Sequence, residues 1–219
     1  MAYRLSMVPR IARRFGVHTR PHVITLCAFF SRRIGALCLV VAAAIALSPV
    51  PTSLDLPVTP SGGAVTGTAD GTVLYPAPPP GSTVRDEGSA VSPVLRVDGG
   101  AVERLLAAAG TPLAWTAVGV ALVWLTPLLR RFAEGDPFAP GNAGRLRGIA
   151  VAALVATHVA PLLTPLATVL ALHRLGGSGW SPAWGFPLHT SLVLVLLLFL
   201  LAGALDVGRR LQTDSEGLV

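Results

Sequence analysis

Four apolar runs, each edged by arginine, constrain this chain more than any other feature. They fall at residues 34–50, 112–129, 148–172 and 188–205, and each reaches the roughly 17 to 25 helical residues needed to cross ~30 Å of hydrocarbon. Arg32, Arg33, Arg130, Arg131, Arg145, Arg147, Arg209 and Arg210 stand at their borders. A central arginine costs about 3 kcal/mol on insertion scales, whereas each Leu, Ile or Val returns about half a kcal/mol. The arginines therefore mark where helices leave lipid. A mean hydropathy of +0.65 with only 13% charged residues leaves too little polar surface to coat a water-soluble globule. The expected fold class is all-α, an integral membrane four-helix bundle with a Pro/Gly-rich extracytoplasmic loop.

Arginine counting orients such a bundle. The basic arm, residues 1–33, holds Arg4, Arg10, Arg13, Arg14, Arg20, Arg32 and Arg33 and no acid; residues 130–147 hold four more arginines, and the tail, 206–219, holds Arg209 and Arg210. Only Arg85, Arg96, Arg104 and Arg174 lie in the remaining connections, 51–111 and 173–187. The positive-inside bias places both termini and the middle loop in the cytoplasm. The expected location is a membrane crossed four times. A formal charge of +6 raises the question of nucleic acid, but the arginines sit beside apolar runs instead of forming a stripe with interleaved aromatics. Anionic lipid headgroups are the expected counter-charge, with no direct nucleic-acid contact.

A signal peptide is the alternative for the first run, since Ala44-Ile45-Ala46 resembles a small-residue cleavage site and Ser31-Arg32-Arg33 a twin-arginine signal. The run continues past that site to Val50, which favours a span. Residues 52–100 turn to Pro, Gly, Ser, Thr and Val around Pro76-Ala77-Pro78-Pro79-Pro80-Gly81, a composition that predicts a mobile loop. Residues 72–75 and 94–97 could pair as a small hairpin, though their alternation is poor. Residues 101–109 read as a short surface helix ended by Gly110, with Thr111 and Pro112 opening the second span.

The middle loop has readable mechanics. Gly135 can close the second span in the left-handed conformation, and Pro137 prevents the helix from resuming. Phe138 supplies an apolar plug, and Asn142 is placed to cap the third span, whose first turns carry Arg145 and Arg147. Phe132-x-x-Gly135-Asp136-Pro137-Phe138, Asn142, Arg145-Leu146-Arg147 and the terminal Gly208-x-x-Leu211-x-x-Asp214-x-Glu216-Gly217-x-Val219 resemble the bacterial membrane proteins of domain of unknown function 2975. The resemblance touches all four helices, but only the middle loop and tail are specific. It implies a four-helix inner-membrane protein without established activity, often encoded beside a small helix-turn-helix regulator. The long basic arm and the Pro-rich loop depart from that pattern. Separately, Phe132-x-x-Gly135-x-x-Phe138 and Leu205-x-x-Gly208-x-x-Leu211 follow helices of the same direction, as two related hairpins would, or as a shared grammar of membrane exit.

Chemistry is sparse. His158, beside Thr157 in the third run, is an ionisable group at bilayer depth and a functional candidate by position. His173 and His189 stand near the ends of spans three and four, but two histidines make a weak metal site. Cys27 and Cys38 read as small buried thiols. Pro161 and Pro165 should bend the third span, and Trp115, Trp180 and Trp184 read as interfacial anchors. No GxSxG, HExxH or Walker loop is present. The sequence thus predicts a non-enzymatic, partner-binding or regulatory membrane component with no cofactor and no metal. Its predicted docking residues are Phe132, Gly135, Asp136, Pro137, Phe138, Asn142, Arg145, Arg147, Asp214 and Glu216, and its partner is a helix-turn-helix regulator or another membrane subunit. The alternative is a small transporter or ligand sensor using His158 and the bent third helix.

Overall fold

Helices dominate the computed structural model, which describes residues 21–61, 66–67, 73–85, 93–177, 179–184 and 188–216. The basic arm before Pro21 and the last three residues lie outside them. Helix α1 spans Pro21–Ala46. Strands β1 (Ser53–Pro60), β2 (Thr66–Gly67), β3 (Val73–Leu74), β4 (Ser82–Arg85) and β5 (Val94–Asp98) follow. Helix α2 is Ala101–Ala133. The third rod is α3 (Asn142–Leu154), a π-turn (Val155–Val159) and α4 (Ala160–Leu175) in series. Strand β6 (Trp180–Pro182) and helix α5 (Leu188–Glu216) complete the chain. Four helical segments, Val23–Ala46, Ala101–Ala133, Asn142–Leu175 and Ser191–Ser215, are long and apolar enough to cross a membrane.

Neighbouring rods run antiparallel, and small residues let them approach. A Cβ on Gly35 of α1 would stand 3.0 Å from the Gly119 carbonyl oxygen, and one on Gly119 would stand 2.8 Å from the Leu39 side chain. Next to that crossing the Ser31 and Thr126 hydroxyls meet at 2.9 Å, replacing water as each other's partner. Gly110 serves the α2–α4 contact in the same way, since a Cβ there would come within 2.9 Å of the Ala160 carbonyl oxygen. This corrects the expected break at 110–112. Gly110 ends no helix, Thr111 caps none, and α2 runs through Pro112 as one rod of 33 residues, about 50 Å at 1.5 Å per residue.

The chain is mainly helical, as expected, and the larger correction concerns the described part of the segment expected to be a mobile loop. Strands β4, β5, β1 and β6 form one antiparallel sheet in that order. β1 pairs through Ser53–Pro57 with β5, and through Val58, Thr59 and Pro60 with β6. Among the described residues, the hairpin expected between residues 72–75 and 94–97 does not form; Val73–Leu74 pairs with Thr66–Gly67, and Val94–Asp98 with β1 and β4. Alternation explains the sheet. Leu54, Leu56 and Val58, with Leu95 and Val97, are buried, whereas Asp55 and Arg96 between them are exposed. The buried row packs on Ala171 and Leu172 of α4, with Ala107 of α2 at its edge. Trp180 joins this core at 5% exposure, stacks on Tyr75 and donates Nε1–H to the Ala77 carbonyl at 3.2 Å. It is a core residue and not the interfacial anchor expected; Trp115 and Trp184 remain exposed. Cys38 is buried as expected, but Cys27 is exposed.

One ionic knot ties the sheet to the helices. Glu103, its side chain 7% exposed, accepts Arg174 Nε–H at 2.8 Å and Nη2–H at 3.0 Å, and reaches back to the Gly100 N–H at 2.7 Å. Arg174 also donates to the Asp98 carbonyl at 2.7 Å. The end of β5, the first turn of α2 and the last turn of α4 are thereby joined. Asp55 and Arg96 pair at 2.7 Å on the open face, where both remain about half exposed, and such pairs stabilise little. The Asp55 hydrogen bond raises the Arg96 pKa above its ordinary value. Glu103→Gln should therefore speed amide hydrogen exchange in β5 by about tenfold, because a charge-assisted, largely buried hydrogen-bond set is lost. Asp55→Asn should leave it unchanged within about twofold. Equal responses would show that the knot does not hold the sheet.

Candidate functional site

At the end of the bundle opposite the sheet, α2 stops because Gly135 takes a positive φ of 80°, which glycine adopts without a Cβ penalty. The Gly135 N–H bonds the Phe132 carbonyl at 3.1 Å, and the Asp136 N–H bonds that of Arg131 at 3.0 Å. Gly141 turns the chain again at φ 90° and is the residue that opens α3. Asn142, expected as the cap, instead lies inside the first turn at 1% exposure. Its Nδ2–H donates to the Pro137 carbonyl at 3.1 Å, and its Oδ1 accepts Arg145 Nη1–H at 3.1 Å. Gly141 holds the cap position, and no side-chain hydrogen bond caps α3.

This turn docks on α5. Phe138 lies over Gly208, where an added Cβ would run into the ring, and Arg147 pairs with Asp206. Behind them Leu128, Ala143, Leu146, Ala202 and Leu205 form a small core. Of the ten predicted docking residues, Gly135, Phe138, Asn142, Arg145 and Arg147 thus hold the turn together, and Pro137 is half-buried. Phe132, at 42% exposure, and Asp136 stay open, and Phe138, though seated on Gly208, is 37% exposed. Helix α5 continues past the expected exit at residue 205 to Glu216. Asp214 therefore stands about 9 Å along the axis from Gly208, in an open groove with Asp206, Arg209, Arg210 and Thr213. Loop and tail meet at Asp206 and Gly208, not at Asp214. The Glu216 and His189 side chains lie outside the described ones. Asp206 was missed as a partner; an acid closing an apolar run opposite the loop arginines was the available signal.

His158 sits in the π-turn, where the Ala160 N–H bonds the Val155 carbonyl five residues back. Pro161, which has no N–H, follows directly, and the wide turn accommodates its ring. Thr157 Oγ1 donates to the Ala153 carbonyl at 2.7 Å and contacts His158 Nδ1 at 2.8 Å; His158 Nε2 lies 3.4 Å from the Ser191 hydroxyl of α5. Both ring nitrogens of His158 therefore have a hydroxyl within hydrogen-bond reach, with the donor in each pair set by the tautomer. His158 thus bridges the third and fourth rods as a hydrogen-bonded imidazole. His173 is exposed at the end of α4, and among the described residues no three His, Cys, Asp or Glu side chains gather.

The chain matches no family model, no curated protein and no solved structure. Geometry alone defines its class, a four-rod apolar helical protein with a sheet packed on one end and a built turn on the other. If Asn142 organises that turn, Asn142→Ala should cost about 1 to 3 kcal/mol through the stranded Pro137 carbonyl. Asn142→Asp keeps the acceptor for Arg145 but strands the same carbonyl and faces it with a buried carboxylate oxygen, so it should cost at least as much. Thermal unfolding in detergent measures both, and an unchanged midpoint for the alanine variant would refute the role.

Proposed function

We propose that this is a multi-pass protein of the bacterial inner membrane, with both termini and the 130–147 turn in the cytoplasm, and that it acts by binding a partner and not by catalysis. The observation that carries the reading is the turn. Asn142, Phe138 and the Arg147–Asp206 pair fix it in place, while Phe132 and Asp136 stay exposed. A surface ordered before contact loses little entropy when a partner docks. Insertion is supported by the four long apolar helices. Orientation is supported by the sorting of Arg32, Arg33, Arg130, Arg131, Arg145, Arg147, Arg209 and Arg210 away from the sheet. A helix-turn-helix regulator, the class implied by the sequence resemblance, is the first partner to test, and another membrane subunit the second. A photo-crosslinker at Asp136 in living cells should capture one discrete protein, and Phe132→Ala should reduce that capture. Capture of lipid and self alone would end this reading.

The π-turn favours one further reading, because such turns recur at functional sites. In it the chain is a small transporter or ligand sensor whose moving element is the proline-interrupted third rod, with His158 as its polar centre. His158→Ala should then alter a transport or stress phenotype while the protein still reaches the membrane. An indifferent mutant leaves His158 as a helix-to-helix bridge.

A further inference from the structure

Two crevices open between α1 and α2 near the turn end, and they share the same two arginines. One, of about 390 Å³, is lined by Arg32, Arg33, Arg130, Phe29 and Ala36. The other, of about 310 Å³, is lined by Arg32, Arg130, Val123, Trp124, Thr126 and Pro127. The first is basic, and the second is apolar beyond its two guanidinium groups. The Ser31–Thr126 hydrogen bond and the Gly35–Gly119 approach hold the two helices in this relation.

Among the described residues, no carboxylate pairs with Arg32, Arg33 or Arg130. Arg131 takes Glu134 at 3.5 Å, and Arg147 takes Asp206. Arg33 lies over the Phe29 ring, 5.2 Å from its centroid, a contact that orients the cation without neutralising it. Residues 1–20, just before α1, contain no acid either. Three guanidinium groups are therefore gathered from two helices with no internal counter-ion.

We propose that this place binds an anionic phospholipid, its phosphate held by Arg32, Arg33 and Arg130 and one acyl chain laid along the Pro127–Trp124–Val123 crevice. The proposal rests on the membrane reading above and deepens it. Charge complementarity selects the headgroup, and guanidinium forks match phosphate oxygens. The apolar crevice selects a lipid over a free phosphate. It leads from Arg130 to Val123, about 10 Å along the helix, and Trp124 and Val123 stay exposed along it. Arg209 and Arg210 give an internal comparison, because their groove also holds Asp214, and Asp206, the partner of Arg147, lines it.

The test is native mass spectrometry of the full chain purified in neutral detergent and offered phosphatidylglycerol, phosphatidylcholine or inorganic phosphate. Phosphatidylglycerol should be retained over phosphatidylcholine, and excess inorganic phosphate should not displace it. The triple variant Arg32→Gln, Arg33→Gln, Arg130→Gln should retain about a hundredfold less. Arg130→Gln alone should retain about fivefold less and keeps the test decisive if the triple variant misfolds. Arg209→Gln with Arg210→Gln should bind as the unaltered protein does. Equal retention of the two lipids, full displacement by phosphate, or equal losses at both arginine groups would each overturn the site. Recovery of the protein from cells in buffer without detergent would instead overturn the membrane reading itself.

Discussion

On the proposed membrane reading, helices that bury only 17 to 22% of their apolar windows inside the fold do not owe their association chiefly to the exclusion of water. In a lipid-like medium the apolar side chains are as well solvated apart as together, and what remains is close packing plus hydrogen bonds between helices. The contacts have that character. Gly35 meets Gly119, Gly110 meets the Ala160 backbone, Gly148 lies under the Trp124 ring and Gly208 under Phe138. Where polar groups enter the interfaces they come as matched sets, Ser31 with Thr126 and Ser191 with His158 and Thr157. No buried side-chain polar atom among the described residues lacks a partner, as a medium without water requires.

The sheet end obeys different physics. Its strands alternate buried and exposed residues, its core holds Leu56, Val58, Leu95 and Trp180, and its outer face carries Asp55 and Arg96. That is the pattern of a surface in water, where apolar burial does stabilise. The two packing patterns meet at Glu103 and Arg174. Because β6 leads into α5 and β1 follows α1, the β1–β6 pairing also joins the first and last rods, which share few direct contacts. The sheet is thus a brace as much as a cap.

Length and hydropathy made the four rods legible, but not their ends. A transfer scale registers where a helix leaves lipid, whereas backbone hydrogen bonding decides where it stops; α2 begins at Ala101 and α5 runs to Glu216 through residues that the scale assigns to water. Gly135 was legible because a positive φ is a local demand. The conformation of Asn142 was half legible, since capping is local but Arg145 and the Pro137 carbonyl competed for its amide. The sheet was missed although Leu54, Leu56 and Val58 alternate cleanly. Proline counted against the segment, and its partners in β6 lie 120 residues away, a separation that composition cannot detect. Ser191 opposite His158 was hidden for the same reason.

The arginines bring these points together. Near the sheet, Arg96 and Arg174 each have a carboxylate. At the turn, Arg131 and Arg147 do as well and Arg145 bonds Asn142, whereas Arg32, Arg33 and Arg130 have no carboxylate among the described residues. Paired arginines act as structure, their charge neutralised and their geometry fixed by the fold. Gathering unpaired ones from two helices raises the folding free energy through mutual repulsion, and the arrangement is stable only where the surroundings supply anions. The interior leaflet of a membrane does so, with a negative surface potential that falls off within a Debye length. Charge excess at this end therefore links the orientation of the chain to the chemistry of what surrounds it. The turn on α3 and α5, held by Arg147 and Asp206, keeps Phe132 and Asp136 exposed.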